Sequence, residues 1–134
     1  MHRLSQLERI GVKFSQLLEQ AGIEDQQQLL DACCQERGRQ ALAKQTGINP
    51  KLILKWTIHA DLARINGIGE EYAELLEKSG VYSVQQLTQF DPEKLLQTMQ
   101  QVNEQTNVVQ QIPTLSHIES WIKQAQTLPV IMGR

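Results

Sequence analysis

Aromatic side chains are scarce in this sequence: two Trp, two Tyr and two Phe make up 4% of its 134 residues. Strand-favouring residues never alternate with polar ones over a useful length, which excludes a β-rich fold. Cysteine is poorly represented as well. The only two, Cys33 and Cys34, are adjacent, so they cannot staple distant segments, and they lack the spacing of zinc or thioredoxin-type motifs. They predict one buried and one partly buried thiol inside a helix, with a vicinal redox switch as the sharper alternative. His2, His59 and His117 are scattered at spacings that suit no zinc template, so neither a metal nor another cofactor is expected. No apolar run approaches the roughly 18 residues that cross a bilayer, and the segment from Met1 to Ile10 lacks the uncharged core of a signal peptide. The chain is therefore expected in the cytoplasm with no membrane partner. A surplus of basic charge is missing too: 13 basic against 15 acidic residues give a net charge of -2, which excludes a generally basic nucleic-acid coat. Ser, His and carboxylates occur singly and no Gly-rich loop follows a strand. The pairs Glu70-Glu71 and Glu24-Asp25 read as first-turn charges rather than acid–base dyads, so no enzyme is expected.

What is present suits packed helices. Hydrophobic residues make up 40% and charged ones 21%, enough apolar material for a core. Gln is abundant, as in Gln26-Gln27-Gln28 and Gln85-Gln86, and is interspersed with Leu at helical spacing, so it reads as uncharged helix surface. The chain also repeats itself. Leu7-Glu8-Arg9-Ile10-Gly11 lies over Ile65-Asn66-Gly67-Ile68-Gly69, and the register continues through Phe14/Tyr72, Leu17-Leu18/Leu75-Leu76, Gly22-Ile23/Gly80-Val81, Asp25/Ser83 and Leu29/Leu87 at a constant offset of 58 (65 − 7). Gln45-Thr46-Gly47-Ile48 then resembles Gln105-Thr106-Asn107-Val108, and Ile53-Leu54-Lys55-Trp56 resembles Ile118-Glu119-Ser120-Trp121, so the second copy carries an insertion. Two related units of about sixty residues follow, a first over 1–60 and a second over 61–126, with a tail over 127–134.

The punctuation within each copy is helical. Leu17, Leu18 and Ala21, and in the second copy Tyr72, Leu75, Leu76 and Ser79, form an apolar or small face stopped by Gly22 or Gly80. Each glycine stands where a helix end takes a left-handed residue, and Ile23 or Val81 can fold back onto the last turn. Asp25 and Ser83 read as N-caps, each followed three residues later by the Gln of a capping box. Asn49-Pro50 and Asp91-Pro92 start further helices. The first of these carries Leu52, Ile53, Trp56, Ala60 and Ala63 on one face to about Ile65, joining the copies without a flexible linker. A last helix follows Pro113, with Leu115, Ile118, Trp121, Ile122 and Ala125 on one face. In the tail, Leu128, Val130, Ile131 and Met132 can dock or fray.

The stretch Leu62-Ala63-Arg64-Ile65-Asn66-Gly67-Ile68-Gly69-Glu70-Glu71-Tyr72-Ala73-Glu74-Leu75-Leu76 places a helix end, a Gly-apolar-Gly turn and a new helix in immediate succession. The glycines permit close approach, Ile68 plugs the space between helices and Ala73 lets them pack tightly. This stretch resembles a helix-hairpin-helix. The whole repeat resembles the small helical domains at the front of recombinases and the acidic tandem repeats of a bacterial transcription elongation factor. Most of residues 4 to 98 resemble an uncharacterised bacterial helix-hairpin-helix family, frequent in photosynthetic bacteria. The resemblance implies an all-α fold of tandem helix-hairpin-helix (SAM-like) bundles and supplies no reaction. In nucleic-acid-binding members of that superfamily the hairpin and the next helix's free N–H groups face a phosphate, whereas the acidic repeats contact proteins.

Here the two residues after the second glycine are Glu70 and Glu71, which stabilise a helix start but repel a phosphate. The leading expectation is therefore a non-catalytic adaptor that binds another protein through Glu70, Glu71 and Glu74. The alternative is sequence-independent DNA or RNA binding. It would use Gly67, Ile68 and Gly69, the first hairpin's Arg9 and Lys13, and Arg37, Arg39, Lys44, Lys51 and Lys55, which lie in a stretch from Arg37 to His59 free of carboxylates. The Gln-rich helices and the apolar tail also allow a homodimer.

Overall fold

A computed structural model describes residues 10–133, and these contain no β-strand. They form eight helices: α1 (Gly11–Gln20), α2 (Gln26–Cys33), α3 (Glu36–Thr46), α4 (Pro50–Leu62), α5 (Glu70–Lys78), α6 (Val84–Leu87), α7 (Pro92–Thr106) and α8 (Leu115–Ala125). The protein is all-α, as its composition requires. Among the described residues no helix is long and apolar enough to cross a membrane.

The sequence repeat is a repeat of hydrogen bonds. At the end of α1, Gly22 N–H donates to Glu19 O at 3.0 Å and Ile23 N–H to Leu18 O at 2.9 Å. At the end of α5, Gly80 N–H donates to Glu77 O at 3.0 Å and Val81 N–H to Leu76 O at 2.9 Å. Both are the paired bonds of a Schellman stop, with Ile23 and Val81 folded back into the core. The next helix is capped alike in both copies: Asp25 Oδ1 accepts from Gln28 N–H at 2.8 Å, and Ser83 Oγ accepts from Gln86 N–H at 3.0 Å. The reciprocal bond departs from a capping box, because each Gln reaches one residue beyond the cap, to Glu24 N–H or Tyr82 N–H, at 2.6 Å in both cases.

Further along, Gly47 and Asn107 end α3 and α7 in the left-handed region, at φ 77° and 50°. Thr46 Oγ1 and Thr106 Oγ1 each donate to the carbonyl four residues back at 2.8 Å. Finally Phe14 meets Trp56 with ring centroids 5.3 Å apart, and Tyr72 meets Trp121 at 5.4 Å. The offset between copies grows from 58 to 60 (107 − 47) and then to 65 (121 − 56). Most of the insertion thus lies in the loop before α8, where Asn103 secures the chain by exchanging hydrogen bonds with both backbone groups of Val109 at 3.0 Å.

The described chain divides into two compact units, one running to Asp61 and including the segment from Ile131, the other being Leu62–Val130. In unit 1 the core is built from Ile10, Leu18, Ile23, Leu29, Leu30, Cys33, Leu42, Ile48, Ile53, Trp56 and Ala60. Its α2 and α3 pack closely: a Cβ placed on Gly38 would lie 1.9 Å from the Ala32 carbonyl oxygen. In unit 2, α7 packs on α5 and α8, and α8 also on α6. Ile118, Trp121, Ile122 and Ala125 of α8 are buried. His117 serves its start, where Thr114 and His117 exchange side-chain and backbone hydrogen bonds in a capping box. Helix α4 stops at Leu62, short of Ile65, because Ile65 N–H turns back to Leu62 O at 3.1 Å.

Candidate functional site

The turn between α4 and α5 is held from within unit 2. Gln124 of α8 uses both ends of its amide on one residue: Oε1 accepts from Asn66 N–H at 2.9 Å and Nε2 donates to Asn66 O at 3.1 Å. The next residue, Gly67, has φ +99°, and a Cβ there would sit 3.0 Å from Trp121 Nε1. Only glycine meets both demands, the left-handed backbone and the close approach of the indole. Ile68 is buried, as a plug between helices should be, and its N–H closes the turn on Ile65 O at 3.2 Å. Gly69 is the N-cap of α5 and offers no side-chain acceptor, so the two carboxylates of the first turn, Glu70 and Glu71, supply the negative charge that the helix start favours.

Those carboxylates do not form one exposed patch. Glu71 is exposed and Glu70 half-buried, with Glu70 Oε1 buried and without a hydrogen-bond partner. Glu74 is buried, at 9% exposure, which corrects its assignment to an acidic contact surface. Its place is inside because the buried face of α5 is broad and takes in Ala73, Glu74, Leu75 and Leu76 together. Tyr72, half-buried against Trp121, donates its hydroxyl to Gln111 O at 3.1 Å.

The basic residues are equally divided. Lys13, Arg37, Lys44 and Lys51 are exposed, and Lys55 is half-buried. Arg39 does not join them: it is buried, and its Nη1 donates to the Cys33 carbonyl at 2.9 Å, so it ends α2 rather than meeting an anion from outside. Arg9 lies outside the described residues. The start of α1 differs from that of α5, because Gly11 has a left-handed φ of 80° where its counterpart Gly69 has φ -93°.

Cys33 is buried and Cys34 half-buried, as their helical position predicted. Burial pushes the Cys33 thiol up to about 11, against an opposing pull from Arg39 and a hydrogen bond with Thr57. A thiol so disposed stays protonated and unreactive. Among the described residues no group of three or more His, Cys, Asp or Glu is placed to hold a metal ion.

Gln124 and Asn66 are the pair that reading the sequence missed. They lie 58 residues apart, and nothing in either local pattern links an exposed-helix Gln to a distant turn. No curated protein and no solved structure matches the chain. The family described as Domain of unknown function (DUF4332) matches residues 8–128, and the chain belongs to that family.

Proposed function

We propose that this protein is a non-catalytic adaptor of tandem helix-hairpin-helix build, and that its second unit binds another protein through a face that includes Glu71. The charge of unit 2 carries the reading. Leu62–Val130 contains 4 basic and 8 acidic residues, a net of -4, with two of the acids directly after the glycine turn. Two like charges about 5 Å apart at an effective dielectric of about 20 repel by about 3 kcal/mol, more than one charge-assisted hydrogen bond returns. A phosphate at this turn would face that penalty, and the Asn66 N–H is already taken by Gln124. A basic protein surface meets the opposite sign and gains from it in encounter rate and register. The acidic repeats that the chain resembles offer the same solution.

Sequence-independent DNA or RNA binding is the second reading, favoured by the exposed Lys13, Arg37, Lys44 and Lys51 of unit 1. A photo-crosslinking residue at position 71, introduced in the native host, separates the two. Recovery of one protein species, lost at high salt and absent when the crosslinker is moved to Gln100, supports the adaptor. Fluorescence anisotropy with duplex DNA gives the contrary result if affinity is high at low salt, falls steeply as salt rises and vanishes in Lys44→Glu/Lys51→Glu.

A further inference from the structure

Helix α2 ends at Cys33, and the last carbonyls of any α-helix lack intrahelical partners. Here, groups from elsewhere in the chain satisfy the end of the helix. Arg39 takes the Cys33 carbonyl, and Gly133 N–H donates to the Cys34 carbonyl at 2.7 Å. Just before that glycine, Ile131 and Met132 are half-buried against the unit 1 core. The preceding Val130 is 60% exposed, and Pro129 gives its carbonyl to Arg64 Nη2 within unit 2 at 2.7 Å. The contact of 131–133 with unit 1 therefore has the parts of peptide recognition: a main-chain hydrogen bond that sets register and adjacent apolar side chains that select sequence.

We propose that the end of α2, with the core surface beside it, is a docking site for an extended apolar peptide. Ile131–Gly133 fills it reversibly in cis, and a partner protein carrying a segment of the same chemistry binds by displacing it. The chemistry is two consecutive apolar side chains followed by a small residue with a free N–H. At the third position a Cβ would meet Gln35 Cγ at 3.4 Å, an ordinary contact, so glycine or alanine fits there and a bulkier side chain would have to displace Gln35. Reversibility follows from the modest hold: half-buried rather than buried side chains, and one backbone hydrogen bond as the polar anchor among the described residues. The site belongs to unit 1 and Glu71 to unit 2, and since residues 131–133 carry no charged side chain, binding there depends far less on salt than a contact through Glu71 does. That difference keeps the failure of either proposal distinguishable from the failure of the other.

The test uses the full chain and a labelled peptide, Leu-Pro-Val-Ile-Met-Gly-Arg, copied from residues 128–134. In Ile131→Asp/Met132→Asp the cis segment is released, so the Gly133 amide exchanges hydrogen faster by about ten-fold or more. That variant binds the peptide saturably and one to one. The natural chain binds it about ten-fold more weakly, because its own segment competes. A peptide carrying the same two Asp residues binds neither protein. Gly133→Pro, which removes the N–H donor and sets a ring beside Gln35, provides a second route to release should the double variant fold poorly, and it too gains peptide affinity over the natural chain. Unchanged exchange at Gly133 in the double variant, or release without peptide binding in both variants, overturns the proposal. So does a natural chain that is dimeric with a protected Gly133 amide, which would assign the site to the segment of a second copy.

Discussion

Ser15 and Ala73 occupy the same place in the two copies (73 − 15 = 58), and both are buried. Both are small, but only Ser15 brings a hydroxyl, and its Oγ has no hydrogen-bond partner. A buried unpaired hydroxyl costs about 1 to 3 kcal/mol, so Ser15→Ala is expected to stabilise the protein by about 1 kcal/mol, measured as an upward shift of the urea midpoint. A loss of stability would show that the hydroxyl is paired after all. Cys33 makes a second prediction. Its folded thiol titrates near 11 against an ordinary 9.0, so the folded state holds the proton more tightly than the unfolded chain does. The stability this confers is complete below pH 9 and is lost as the pH rises through 11, a total on the order of 2 to 3 kcal/mol. Urea melts across that window should show the loss in the natural chain and not in Cys33→Ala, which starts from a lower stability at neutral pH. The burial of Cys33 was legible because a thiol in a helix among leucines behaves as a small hydrophobe. That of Arg39 was harder to see: α3 has few apolar residues, and the Arg39 stem begins the inward stripe that continues through Leu42, Ala43 and Thr46.

At the scale of the element, the stops and caps were the readable part. Gly22, Gly80, Asp25, Ser83, Pro50 and Pro92 act through their own backbone or short side chains, so a local pattern suffices to place them. The lengths of the elements depend on more. Helix α2 has 8 residues and its counterpart α6 only 4. After Leu87 the chain tightens into turns, with Thr88, Gln89 and Phe90 N–H donating to Gln85, Gln86 and Leu87 O. Pro92 then bars helical backbone at Asp91, which takes an extended ψ of 129°, whereas the first copy has no proline there. The matched ends of α3 and α7 allow a paired test. Asn107 holds a left-handed φ of 50° that glycine adopts at lower cost, so Asn107→Gly is expected to be neutral or to add up to about 1 kcal/mol. Gly47→Ala, at φ 77° with open space around the new Cβ, should lose about 1 kcal/mol from conformation alone. Equal effects of the two substitutions in thermal melts would mean that the two stops are not equivalent in the way their shared bonds imply.

For the molecule as a whole, the repeat makes two units that share their helix stops, caps and ring pair and carry opposite charges. Unit 1, taken over its full span to Asp61 and from Ile131, has 9 basic and 7 acidic residues, a net of +2, against -4 in unit 2. Duplication of a fold therefore did not duplicate its electrostatics, and the sequence revealed this directly because charge is a property of composition. It could not reveal that Glu74 faces inward, because an acidic residue on an amphipathic helix is assigned to solvent unless the width of the buried face is known. The consequence is a prediction with two arms. Glu71 is exposed, so Glu71→Lys should change stability by no more than about 0.5 kcal/mol, whereas Glu74→Lys puts the opposite charge into a buried position and should cost about 3 kcal/mol or more in urea unfolding. With folding thus controlled, Glu70→Gln/Glu71→Lys raises the net charge of unit 2 by three, from -4 to -1, and removes both acids from the glycine turn. The natural chain is expected to leave duplex DNA unbound at low salt, and this variant to bind it weakly with an affinity that falls steeply as salt rises. A variant that remains folded and still ignores DNA would mean that the turn does not present its backbone to anions, and that the glutamates do not act there as a barrier to phosphate.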